Sequence, residues 1–129
     1  MKTLGLILAL LAPATALPAM TGAEFQDYVT GKTIYFDQAG QPYGVEQYLP
    51  GNRVRWSLLD GNCKDGSWYE DGPHICFVYD DNPTPQCWTF EQRPDGIRAI
   101  FANDPDRLVL YEVSQSDKPM LCLGPEVGV

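Results

Sequence analysis

From Lys32 to Val113 the chain runs no more than about a dozen residues between turn signals, and between them apolar and polar residues alternate. This spacing constrains the fold more than any other feature. Residues 53–59 are the plainest case: Val54, Trp56 and Leu58 alternate with Arg53, Arg55 and Ser57, which puts one set on each face of a strand. Similar runs at 32–37, 43–49, around Trp68 and Tyr69, and at 74–79, 86–92, 97–101 and 107–113 make about eight strands, with 120–123 a candidate for a last one. Parallel neighbours need a crossover of roughly a dozen or more residues, and no link here is that long. The sheet must be antiparallel.

The links carry turn chemistry. Gln38-Ala39-Gly40-Gln41-Pro42, Asp60-Gly61-Asn62, Glu70-Asp71-Gly72-Pro73 and Asn103-Asp104-Pro105-Asp106 are rich in the residues that reverse a chain. Arg93-Pro94-Asp95-Gly96 fits a type I turn, with Pro second and Gly fourth. Residues 80–85 read as a polar, proline-containing loop.

One helix precedes the strands. Thr21 followed by Glu24 makes a capping box, Met20 and Phe25 make a hydrophobic staple, and Phe25, Tyr28 and Val29 form a short apolar stripe ending before Gly31. The expected fold is therefore mainly β: a short N-terminal helix, then an eight-stranded antiparallel meander curling into a small lipocalin-like barrel. A two-sheet sandwich is the alternative.

The N-terminal end has the pattern of an export signal. Lys2 precedes an apolar run from Leu4 to Ala12 that is too short to span a bilayer, followed by Pro13 and the small-x-small sequence Ala14-Thr15-Ala16. Residues 1–16 are thus expected to be a cleaved signal peptide and residues 17–129 a single domain, periplasmic or secreted, with no membrane span after cleavage. All four cysteines, Cys63, Cys76, Cys87 and Cys122, lie in that domain. An even count in an exported chain points to two disulfides. Of the three pairings, Cys76 with Cys87 across one hairpin and Cys63 with Cys122 suits the strand pattern best.

The chain is acidic, with a formal net charge of −8, and losing Lys2 with the signal would make it −9. Such a domain is repelled by nucleic acid and by anionic lipid surfaces, and it favours basic partners.

The motifs for chemistry are sparse. There is no C-x-x-C and a single histidine, His74, so no zinc site and no other metal or cofactor is expected. Asp80-Asp81-Asn82 and residues 103–106 do not follow the EF-hand pattern. A Ser-His-Asp arrangement would have to join His74 to Ser57, Ser67, Ser114 or Ser116, none of which sits in a nucleophile-elbow context, and cysteines held in disulfides are not nucleophiles. Glu46, Glu91 and Glu112 fall on expected strands, where the wet outer face is the ordinary place for them and a catalytic cavity the alternative. No catalytic residue is assigned. For binding, Tyr35, Tyr48 and Tyr69 are expected on faces opposite the core, where aromatic side chains make contact anchors. Arg53 and Arg55 project together and either bind an anion or pair with Glu46 or another acidic neighbour. Asp80 and Asp81 sit in the 80–85 loop.

Taken together, Gly31-Lys32-Thr33, Tyr43-Gly44-Val45-Glu46-Gln47-Tyr48, Cys63 with Gly66-Ser67-Trp68, Ile75-Cys76-Phe77 and Cys87-Trp88-Thr89-Phe90 resemble a group of short exported alphaproteobacterial proteins of uncharacterised function. The layout is similar, more loosely, to small bacterial barrels that inhibit proteases or lysozymes. The resemblance implies a periplasmic or secreted location and transfers no functional site. The leading expectation is a non-catalytic binding or accessory domain for an unknown protein or small molecule. An inhibitor of a hydrolase, presenting the 80–85 loop, comes second, and an envelope-acting enzyme third. A binding module calls for an apolar pocket with a few polar groups inside.

Overall fold

The computed structural model describes residues 2–10 and 17–122. The proposed cleavage site at residues 14–16 therefore lies outside the described residues. Helix α1 (Gly22–Val29) is followed by β1 (Thr33–Gln38), β2 (Gln41–Leu49), β3 (Arg53–Ser57), β4 (Lys64–Asp71), β5 (His74–Tyr79), β6 (Asn82–Arg93), β7 (Gly96–Phe101) and β8 (Val109–Ser116). Every strand pairs antiparallel with the next, and β8 returns to pair with β1, so the sheet is a closed eight-stranded barrel rather than a sandwich.

The helix forms where its local signals place it. Glu24 N–H donates to Thr21 Oγ1 at 3.1 Å and Thr21 N–H donates to Glu24 Oε1 at 2.9 Å, completing the capping box. The chain leaves the helix through Gly31 at φ +80°, a conformation that costs glycine little. A helix this short needs tertiary support, and the barrel supplies it. Phe25 and Val29 are fully buried, and Phe25 lies against Tyr48, Trp68, Phe77 and Phe90 with ring centroids 4.5–6.3 Å apart. The backbone is stitched to the strands on both sides: Met20 N–H donates to Phe90 O, Gly22 N–H to a Glu70 carboxylate oxygen, and Gly31 N–H to Tyr48 O. Tyr28 adds a hydrogen bond to Glu112 of β8 at 2.9 Å. The helix is a plug that closes one end of the barrel.

The disulfides are Cys76–Cys87, joining directly paired residues of β5 and β6, and Cys63–Cys122, joining the β3–β4 link to the segment after β8. Two such bonds fit an oxidising compartment. Among the described residues no helix is long and apolar enough to cross a membrane. Leu4, Leu6, Ile7 and Leu10 of the N-terminal segment are each about nine-tenths exposed or more and take no part in the core.

Several boundaries differ from the sequence reading. Asn82–Pro85 belongs to β6, so the link from β5 is the short Asp80-Asp81 turn and not a projecting loop. Pro83 and Pro85 are exposed there, beside a register shift between Phe77 and Tyr79 that relaxes the pairing prolines cannot complete. Gln38 and Gln41 are strand, and the first hairpin turns on Ala39 and Gly40 alone, both at positive φ, as a type I′ two-residue hairpin requires. Met120–Cys122 form no strand, and Leu123 lies outside the described residues.

Candidate functional site

Strand directions alternate, so the end opposite the helix is framed by the turn at Ala39-Gly40 and the links β3–β4, β5–β6 and β7–β8. A cavity of about 190 Å³ opens there. Its rim residues Leu58 and Lys64 are exposed, while Tyr43, Trp56, Gln86 and Trp88 are half-buried, so the interior communicates with solvent at this end. Deeper down, the wall is Phe36, Phe77, Phe90, Ala99 and Leu110, and the floor is shared with the aromatic cluster around Phe25.

Gly44 lets Trp56 lie over β2. A Cβ at position 44 would collide with the indole ring and stand 2.9 Å from the Ser57 carbonyl oxygen. The indole instead packs 6.1 Å from the Tyr43 ring, and Trp88 packs 4.9 Å from Phe101. The mouth is therefore walled with aromatic faces.

Three polar side chains meet inside. Glu46 is 2% exposed and sits between Ile34 of β1 and Trp56 of β3 in the sheet register. Tyr79 of β5 donates its hydroxyl to Glu46 Oε1 at 2.9 Å. Among the described residues Glu46 Oε2 has no hydrogen-bond partner, although it is buried. Burial pushes the Glu46 carboxyl up to about 8, partly opposed by the bond from Tyr79. It is thus mostly neutral at pH 7. Tyr48 and Tyr79 are driven upward too, first by burial and then by the neighbouring Glu46, and both remain phenols.

The residues expected to bind fall into two groups. Tyr48 is not on an outer face: it is 2% exposed, inside the barrel, lining the cavity and packed on Phe25. Tyr69 is 41% exposed on the outside and Tyr35 is half-buried, and neither lines the cavity. Arg53 and Arg55 do not pair with Glu46. Arg53 Nη2 lies 3.2 Å from Asp80 Oδ2 and Arg55 Nε 2.8 Å from Asp65 Oδ1, both pairs exposed. Asp81 pairs with Lys64 at 3.2 Å, at the rim. These charges form a belt of ion pairs outside the barrel, with Lys64 alone reaching the cavity.

The two other glutamates singled out in the sequence are engaged elsewhere. Glu91 pairs with Arg98 at 2.8 Å, and Glu112 accepts from Tyr28. His74 begins β5 at the helix end and does not line the cavity. Among the described residues no group of three or more His, Cys, Asp or Glu is placed to hold a metal ion.

Glu46 is the cavity-lining residue whose inward position the alternation pattern obscured. A local signal does exist. Counting outward from Gly51, the centre of the β2–β3 turn, pairs Tyr48 with Val54 and Glu46 with Trp56, as observed. Since Val54 and Trp56 mark the inner face, Glu46 and Tyr48 share it.

No protein-family model, no curated protein and no solved structure matches this chain.

Proposed function

We propose that the domain is a non-catalytic binding module for a small molecule, acting in the periplasm or as a secreted protein. The observation that carries this reading is the cavity itself: an aromatic chamber plugged at one end, open at the other, with Glu46, Tyr48 and Tyr79 converging inside. An apolar pocket with a few placed polar groups is the usual form of a ligand site. Eight-stranded barrels are about the size that holds one small ligand. The cavity is only slightly larger than one of about 150 Å³ that accommodates benzene, so the occupant is compact.

Among the described residues a single carboxylate lines the chamber, whereas carboxylate-based glycoside hydrolysis works with a pair. This favours binding over catalysis. The reading as a hydrolase inhibitor relied on a projecting loop at 80–85, most of which is strand. The extracytoplasmic location draws on the two disulfides and on an apolar N-terminal segment that the barrel does not use.

The test is a titration of the oxidised protein with ring-sized probes (benzene, benzyl alcohol, benzylamine), followed by tryptophan emission and melting temperature. Trp56 and Trp88 line the chamber and report on it. At least one probe should give a saturable change and raise the melting temperature. Ala99→Phe, which fills the chamber, should abolish the response, with Leu110→Trp as a second filling variant. No response to any probe, or a response undiminished in both folded filling variants, would refute the reading.

A further inference from the structure

The unsatisfied oxygen of Glu46 narrows the kind of ligand. Oε1 is occupied by Tyr79, while Oε2 is buried without a partner among the described residues, on a side chain that lines the chamber. Once the carboxyl is ionised, that oxygen is a buried acceptor left open, which costs stability, and an occupant that donates to it removes that cost. The surroundings then distinguish a charged donor from a neutral one.

The groups facing Glu46 are few. From its own strand and from β5 come the phenols of Tyr48 and Tyr79. Ile34 and Trp56 flank it in the register. Lys64 of β4 lies at the rim with its ammonium 3.2 Å from Asp81, so its charge is met outside. Glu112 of β8 is engaged by Tyr28 and Gln115. Among the described residues nothing cationic inside the chamber neutralises an ionised Glu46. An entering cation would do so, and the faces of Trp56 and Trp88 would favour it further. The net charge of −8 attracts cations to the molecule. A quaternary ammonium has no N–H for Oε2, so the matching head group is a primary or secondary ammonium.

We infer, building on the binding role proposed above, that the chamber takes a compact organic ammonium ion carrying about one ring of apolar surface, its N–H donating to Glu46 Oε2. No covalent bond changes. The carboxyl O–H gives its proton to solvent, the ligand keeps its own, and a carboxylate–ammonium pair forms. With the empty carboxyl at about 8, binding at pH 7 releases about 0.9 proton per ligand.

The experiment is calorimetry on the oxidised protein with benzylamine, benzyl alcohol and benzoate. Each is measured at pH 6, 7 and 8 in two buffers of different ionisation enthalpy. Benzylammonium should bind at least about tenfold more tightly than benzyl alcohol at pH 8, a gap of about 1.4 kcal/mol. It should release close to one proton at pH 7 and lose about tenfold in affinity per pH unit below that. Glu46→Gln should abolish both the proton release and the preference while still binding benzyl alcohol. If that variant does not fold, the carboxyl ¹³C resonance of Glu46 in the unaltered protein serves instead, and benzylammonium at pH 7 should move it to its ionised position. Benzyl alcohol or benzoate binding as tightly as benzylammonium would overturn the ammonium inference while leaving the binding role standing. So would ammonium binding without proton release, a preference retained in Glu46→Gln, or an unmoved ¹³C resonance. Silence from all three probes, and from benzene, overturns both.

Discussion

Tyr79 and Glu46 meet across the interior of the barrel, hydroxyl to carboxyl oxygen at 2.9 Å, with the other carboxyl oxygen buried and without a partner among the described residues. The pair couples the fold to pH. Glu46 titrates near 4.5 in an unfolded chain and near 8 in the barrel, so folding favours its protonated form. The resulting stabilisation is whole below the unfolded value and is lost as pH rises through the folded one. We predict that stability without ligand declines between pH 5 and 8 by about 1.4 kcal/mol per pH unit, and that Glu46→Gln flattens the decline. Urea unfolding at pH 5, 6.5 and 8 measures it. Glu24 and Asp60, both held below their ordinary values by hydrogen bonds from Thr21 and Asn62, act in the opposite sense and only in the acid range. A stability curve level from pH 5 to 8 in the unaltered protein would contradict this account of the interior.

The plug should be energetically substantial. Phe25 is fully buried among four aromatic rings. Phe25→Ala is predicted to cost about 3–5 kcal/mol. Tyr28→Phe, which removes only the hydroxyl that donates to Glu112 and accepts from Gln115, should cost about 1 kcal/mol. Denaturant midpoints for the two variants test the contrast, and equal losses would show that the plug is not held chiefly by ring packing.

Each disulfide has a separate weight. On the loop-entropy account the 11-residue separation of Cys76–Cys87 contributes about 3 kcal/mol and the 59-residue separation of Cys63–Cys122 about 4. The double serine variants are predicted to lose stability in that order, as read by urea midpoint. Mass spectrometry of the unreduced protein should find no free thiol.

Position 44 tests the architecture of the mouth. A methyl group there would press on the Trp56 ring and on the Ser57 carbonyl. Gly44→Ala is predicted to destabilise by about 1–3 kcal/mol, shift tryptophan emission and weaken probe binding. Normal emission and binding would place the indole elsewhere.

The outer ion pairs should matter little. Arg53→Ala and Arg55→Ala break exposed pairs with Asp80 and Asp65. Each is predicted to change stability by less than about 1 kcal/mol and probe affinity by less than about twofold. A larger loss of affinity in calorimetry would return these arginines to the binding surface.

What could be read in advance was what short-range chemistry decides. The capping box of Thr21 and Glu24 involves residues three apart and is complete in the sequence itself. The alternation of Val54 and Trp56 with Arg53 and Arg55 is likewise local, although β3 stops at Ser57 and leaves Leu58, expected on the inner face, exposed. The short links force antiparallel neighbours. The site was harder, because β2 carries buried residues of both parities: Val45, Glu46 and Tyr48 are all under 5% exposed. Taking Val45 as the marker of the inner face sends Glu46 and Tyr48 outside. Only the register across the Gly51 turn reverses that assignment. Residues 80–85 read as a loop for a different reason. Prolines at 83 and 85 oppose strand pairing, and the barrel accommodates them beside a bulge that only the assembled sheet creates.

The barrel closes through β1 and β8, which lie at opposite limits of the sheet in chain order. Thr33 pairs with Ser116, so the ring cannot be completed until nearly the whole domain has been synthesised. Contacts so distant along the polymer slow the search for the native state. During that interval the strand edges of the unfinished sheet are open to wrong partners, other chains included. For a molecule wired in this way, assembly becomes a race between late closure and aggregation.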